Sequence, residues 1–148
     1  GPNDNFNPKS SHVIAALIKK FYEGKKKKKN FVEVWGDGKS TRDFCFVDDI
    51  VDGILTMFAN GGHREVYHIG NNEEVTIAEL AQRIATKMNV SIELVHEEAP
   101  MGATNRRCPD IGKMNKIGFE PKVNLSEGLE KTIAWYQTNS SKATNKLL

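Results

Sequence analysis

No glycine-rich phosphate loop occurs in this sequence: GxGxxG and the P-loop are absent, as are HExxH and GxSxG. A dinucleotide pyrophosphate needs a glycine turn between a strand and a helix. These residues alone therefore cannot house hydride transfer. Cysteine is scarce as well, with only Cys45 and Cys108, far apart and in no CxxC pair. That argues against a disulfide framework or a structural zinc site and for two inert thiols in a reducing, cytoplasmic compartment. No apolar run approaches the length of a membrane span. The first residues, Gly1-Pro2-Asn3-Asp4, are polar and turn-like, unlike a signal peptide. With no initiator Met, processing or truncation is the expected origin of this end.

What is present suits one ordinary globular domain: 148 residues, 39% hydrophobic and 27% charged. The net charge of +2 is local in origin. Lys25 to Lys29 supplies five positive charges, and the rest of the chain is slightly acidic. With no interleaved aromatics, the run reads as a solvated loop or helix end, not as a surface for nucleic acid or anionic lipid.

Along the chain, Ser10 or Ser11 is placed to cap a helix with Ile14, Leu17, Ile18 and Phe21 on one face, ending at Gly24. Residues 31–35 have a strand's composition, closed by the turn Gly36-Asp37-Gly38. Asp43–Val47 reads as strand-like or extended. Asp48 or Asp49 then caps a helix with Ile50, Ile54, Leu55 and Phe58, stopped by Asn60-Gly61-Gly62. Glu65–Gly70 reads as a strand. Thr76 and Glu79 have capping-box spacing ahead of Ile77, Leu80, Ala81, Ile84 and Met88. Ser91–His96 alternates as a strand does, and 97–109 reads as irregular. A short helix is expected from Asp110 to about Gly118, and Ser126 caps a last helix with Leu129, Ile133 and Tyr136 inward. The order of elements implies an α/β or α+β class. We expect one domain over residues 1–137 and a polar, flexible tail over 138–148.

The residues suited to chemistry are few. Arg42 follows a glycine turn, and Arg106-Arg107 sits in a long loop; guanidinium forks from two distant segments can clamp a diphosphate. Surface charge, or pairing with Asp43 and Asp110, is the commoner fate of such arginines. His12, at the start of a helix, is placed to exchange a proton near neutral pH, although a lone histidine more often caps or packs. His63, His68 and His96 have no metal-ligand spacing, and no metal site is expected. Trp35 has a ring that can stack on a base, though an aromatic at a strand end is more often core.

Several stretches, in one order and spanning the chain to about Tyr136, resemble a known family. They are Gly1-Pro2-Asn3-Asp4-Asn5-Phe6, Ser11-His12-Val13-Ile14, Trp35-Gly36-Asp37-Gly38, Thr41-Arg42-Asp43-Phe44 and Val47-Asp48-Asp49-Ile50. Farther on come Tyr67-His68-Ile69-Gly70-Asn71, Thr76-Ile77-Ala78-Glu79-Leu80, Arg106-Arg107-Cys108-Pro109-Asp110 and Ile117-Gly118-Phe119-Glu120-Pro121. Together they resemble the C-terminal part of the extended short-chain dehydrogenase/reductases of the NAD-dependent epimerase/dehydratase family, nearest to the GDP-L-fucose synthase-like enzymes. UDP-hexose epimerases and UDP-glucuronate decarboxylases share the later motifs.

The resemblance implies a substrate-binding portion of a Rossmann-fold epimerase, with the NAD(P)-binding half and its Tyr-x-x-x-Lys pair upstream and no cofactor bound by this chain alone. It implies that Arg42, Arg106 and Arg107, with Lys20 as a further basic group, contact the diphosphate of a GDP- or UDP-sugar. Val34 and Trp35 would border the base, and His12 would act as the acid of an epimerisation. Ala15, where the family commonly has proline, and the lysine run depart from the pattern. The resemblance also implies that the 48–58 helix and the 65–70 strand pack on the absent half. The chain alone would then expose apolar surface and self-associate. A free-standing, non-catalytic binding module is the alternative.

Overall fold

The computed structural model describes residues 1–28, 31–35, 37–91, 93–97, 102 and 104–143. In chain order its elements are α1 (Val13–Lys26), β1 (Phe31–Trp35), β2 (Thr41–Asp43), α2 (Val47–Asn60) and β3 (Glu74–Thr76). Then follow α3 (Ile77–Lys87), β4 (Glu93–Glu97), β5 (Arg106–Arg107), α4 (Gly112–Lys116) and α5 (Leu125–Ala143). This is a mixed α/β arrangement.

Three helices build the core because each carries an apolar stripe at three- and four-residue spacing. Leu17, Ile18 and Phe21 of α1, Leu80, Ala81 and Ile84 of α3, and Leu129, Ile133 and Tyr136 of α5 are all buried in one cluster. Phe6 reaches this cluster from the N-terminal loop. Its ring lies 4.4 Å from that of Tyr136 and 5.8 Å from that of Trp135, and the buried Lys19 donates to its carbonyl at 3.1 Å. Tyr22 meets Tyr136 edge-on at 5.3 Å, and its hydroxyl bonds with Ser140 Oγ at 3.1 Å. These contacts carry α5 as an ordered helix beyond residue 137 to Ala143, itself buried. The tail foreseen from 138 is helical up to that point, and 144–148 lie outside the described residues.

Helix ends follow local chemistry. Thr76 caps α3 as its spacing predicts, its Oγ1 accepting from Glu79 N at 3.0 Å. The carbonyls of Ser40 and Gly38 take the N–H groups of Ile77 and Ala78, so the turn before β2 satisfies donors the helix itself leaves open. Gly38 supports that turn with φ +72°. The cap of α5 is Asn124, not Ser126: its Oδ1 accepts from Glu127 N at 3.0 Å. At α1 the N-cap is His12, without a side-chain bond, and the helix continues past a buried Gly24 to Lys26.

Two small sheets are present among the described residues. β1 and β4 pair in parallel, with Val34 opposite His96. In the other sheet β2 is central, antiparallel to β3 and parallel to β5. The strand expected over 65–70 does not form. A strand exists only by pairing with another, and this stretch is held by side chains instead: Lys113 bonds Glu65, donates to the Val66 carbonyl at 2.9 Å and lies 4.5 Å over the Tyr67 ring.

α2 is inverted relative to the core helices. Asp49 and Gly53 face inward. The Asp49 carboxylate accepts from the N–H groups of Lys122 and Val123, each at 3.0 Å. A Cβ at Gly53 would come within 2.7 Å of Ile69 and 3.1 Å of Phe119. The apolar stripe, Val47, Val51, Ile54, Leu55 and Phe58, faces solvent, and Phe58 is 90% exposed.

Candidate functional site

β2 and β5 bring the separated arginines together. In their register Arg42 stands beside Arg107, and Thr41 beside Arg106. Side chains alternate across a strand, so the two adjacent arginines of β5 point to opposite faces of the sheet.

On one face, Arg42 donates through Nη1 to the carbonyl of Thr41 at 2.6 Å and through Nη2 to that of Thr104 at 2.6 Å. A longer bond of 3.4 Å reaches the Asn105 carbonyl. Arg107 donates from Nη2 to Thr104 Oγ1 at 3.2 Å. Two cationic side chains thus bond one exposed threonine, Arg42 at its carbonyl and Arg107 at its hydroxyl oxygen. Neither arginine takes the acidic partner expected from proximity in sequence. The Asp43 carboxylate instead accepts from the Asn71 N–H at 3.1 Å through both oxygens, and Asp110 accepts from Gly112 N at 2.8 Å. Burial raises the Asp43 carboxyl above its ordinary pKa, against the bond from Asn71.

On the opposite face, Arg106 is held by Glu74 of β3. Its Nε lies 2.9 Å and 3.1 Å from the two carboxylate oxygens, and its Nη2 lies 2.7 Å from Oε2. Thr41 Oγ1 donates to the same carboxylate at 2.5 Å. The bonds from Arg106 and Thr41 hold the Glu74 carboxyl below its usual range. The strand register thus sends the Arg106 and Arg107 side chains to opposite faces of the sheet, although both residues line one open groove. Sequence alone carries no signal for which arginine faces which way.

Beside this sheet, segment 67–69 and segment 106–109 line an open groove of roughly 560 Å³, a size in the range of small-ligand sites. The Cys45 thiol, by contrast, is pushed up to about 11 by burial and by the nearby Asp49 and Asp43. The Cys108 thiol is raised by burial and by Glu74. Neither is set up as a nucleophile.

The remaining sequence-derived positions scatter. His12 is exposed at the start of α1, outside the arginine sheet. Lys20 is half-buried on α1, next to Lys19, which the sequence reading passed over. The side chains of Val34 and Trp35 lie outside the described residues. The lysine run is partly engaged: Lys25 donates to the Met88 carbonyl at 3.0 Å, Lys26 lies 4.5 Å over the Tyr22 ring and Lys27 pairs with Glu23 at 3.7 Å. Among the described residues no cluster of His, Cys, Asp and Glu is placed to hold a metal ion, and no helix is long and apolar enough to cross a membrane.

The sequence model of the NAD dependent epimerase/dehydratase family matches residues 1–70 of the chain. More narrowly, the chain is 37% identical over 139 residues to GDP-L-fucose synthase 1 of Arabidopsis thaliana, an alignment covering 94% of this chain and 43% of that protein. Among solved structures it resembles the UDP-glucose 4-epimerase of Thermotoga maritima, determined with UDP-glucose. There the TM-score is 0.83 and the identity 27%, over 95% of this chain and 43% of the other. A dTDP-glucose 4,6-dehydratase of Bacillus anthracis, in complex with NAD, matches with a TM-score of 0.76 and 29% identity over 91% of this chain and 41% of that one. The chain thus spans less than half the length of the proteins it matches.

Proposed function

We propose that this chain is the nucleotide-sugar-binding portion of an NAD(P)-dependent epimerase/reductase of the GDP-L-fucose synthase kind. The observation that carries this reading is the register pair Arg42 and Arg107, two guanidinium groups from distant segments converging on Thr104. A diphosphate offers the negative charge and forked acceptors that such a pair lacks. The groove between segments 67–69 and 106–109 leaves room for the attached groups.

The dinucleotide itself does not fit these residues, because the sequence has no glycine-rich strand-to-helix turn. We assign its binding to a further portion of the protein and derive no step through it. That portion would cover the α2 stripe, and the relatives, more than twice as long as this chain, leave room for it. Within this chain the proton-exchanging group would be His12, whose imidazole is exposed at the start of α1. Lys20, Val34 and Trp35 remain proposed neighbours of the nucleotide. Two free cysteines, neither in a disulfide, fit a reducing compartment such as the cytoplasm.

Titration calorimetry with GDP, UDP and their sugars tests the reading. We expect binding that requires the diphosphate and that Arg42→Ala and Arg107→Ala each weaken by about tenfold or more. Base preference then separates GDP-sugar from UDP-sugar enzymes. Affinity unchanged from wild type in both variants would remove the reading. Light scattering tests the uncovered α2 face: we expect the isolated chain to self-associate, and a clean monomer at high concentration would count against it.

A further inference from the structure

We propose that Glu74 is a positioning residue for the anion site: by gripping Arg106 on the opposite face of the sheet, it holds β5 in the register that sets Arg107 beside Arg42. This rests on the reading of Arg42 and Arg107 as a diphosphate site.

Among the described residues little else fastens β5. It is two residues long and, among the described residues, has β2 as its only strand neighbour. Among its fastenings is the bond from Thr41 N to the Asn105 carbonyl at 2.8 Å. A short edge strand held by few backbone bonds frays easily. Glu74 lies on β3, on the far side of β2, yet its carboxylate spans the sheet to take three contacts from Arg106 and one from Thr41. One side chain thereby ties all three strands together. Because side chains alternate along β5, fixing Arg106 against Glu74 fixes Arg107 toward the other face. The forked guanidinium–carboxylate pairing sets angle as well as distance.

The sign of the effect separates positioning from simple attraction. A carboxylate close to an anion site repels the ligand, so its removal should tighten binding if only its charge matters. If it holds the strand, its removal should weaken binding.

The test is to titrate the 148-residue chain with GDP and UDP as wild type, as Glu74→Gln, as Arg106→Gln and as the exchanged pair Glu74→Arg with Arg106→Glu. Amide exchange at Thr41 is followed in parallel. We expect each single variant to bind about tenfold more weakly, the exchanged pair to recover most of the loss, and the Thr41 amide to exchange faster in Glu74→Gln. Unchanged or tighter binding by Glu74→Gln overturns the proposal. If the wild type binds neither nucleotide, the anion-site reading fails first. The clip is then judged by exchange alone: a faster Thr41 amide supports its grip on β5, and an unchanged one overturns it.

Discussion

α2 and α3 both carry apolar stripes at helical spacing, and they use them in opposite ways. α3 turns Leu80, Ala81, Ile84 and Ala85 into the core, with Thr76 capping its first turn. α2 turns Val51, Ile54, Leu55 and Phe58 outward, and its inner face is made of a buried aspartate and a glycine. Amphipathicity therefore says that a helix needs a partner, and only packing says whether the partner is in the same body. An apolar stripe left in water is a standing request for another surface.

The contrast can be broken by mutation. Leu80→Ala should have the largest effect, costing about 3–4 kcal/mol in chemical denaturation, because it opens a cavity in the core. Asp49→Ala should cost about 2–3 kcal/mol, since it strands the N–H groups of Lys122 and Val123 and frees the inner face of α2. A small loss would mean that α2 is held by something other than its polar face. Thr76→Ala should cost about 1 kcal/mol, as typical caps do. The corresponding change at the N-cap of α2, Phe46, would remove no cap bond, since its side chain makes none.

Acid should then loosen the strand that leads into α3. The Glu74 carboxyl is held below its usual range, so its stabilising contribution is complete above the ordinary glutamate value of about 4.3 and is lost as pH falls through the lowered folded value. The thermal midpoints of wild type and Glu74→Gln should accordingly differ at neutral pH and converge only once the pH has fallen below the lowered Glu74 value. Phe58→Ser should have the smallest effect on stability, within about 0.5 kcal/mol, while measurably reducing self-association in sedimentation velocity. A large loss of stability there would show the stripe to be covered within the chain.

The same comparison explains what could be read from the sequence. The stripes of α1, α3 and α5 were legible because burial there follows a 3.6-residue period within the body itself. The cap at Thr76 was legible because its bond closes within a few residues. The strand expected at 65–70 failed because composition reports a preference for extension, whereas a strand also needs a neighbour, and among the described residues none pairs with this segment. β3 and β5 went unforeseen because, among the described residues, their few positions pair only with β2, distant in sequence. Arg42 and Arg107 could be named as basic groups in loops. Their facing one another, and the diversion of Arg106 to Glu74, depend on strand register, which no local pattern encodes.

The position of Phe6 has a consequence for how this unit can be handled. Its ring is seated against α5, close to the other end of the body, so the opening loop and the closing helix complete each other's packing. Engineers who splice this module into a chimera, or who hunt for a shorter soluble version, should find that neither border can be trimmed independently. Joining the two ends to permute the chain should be tolerated better than cutting back either one.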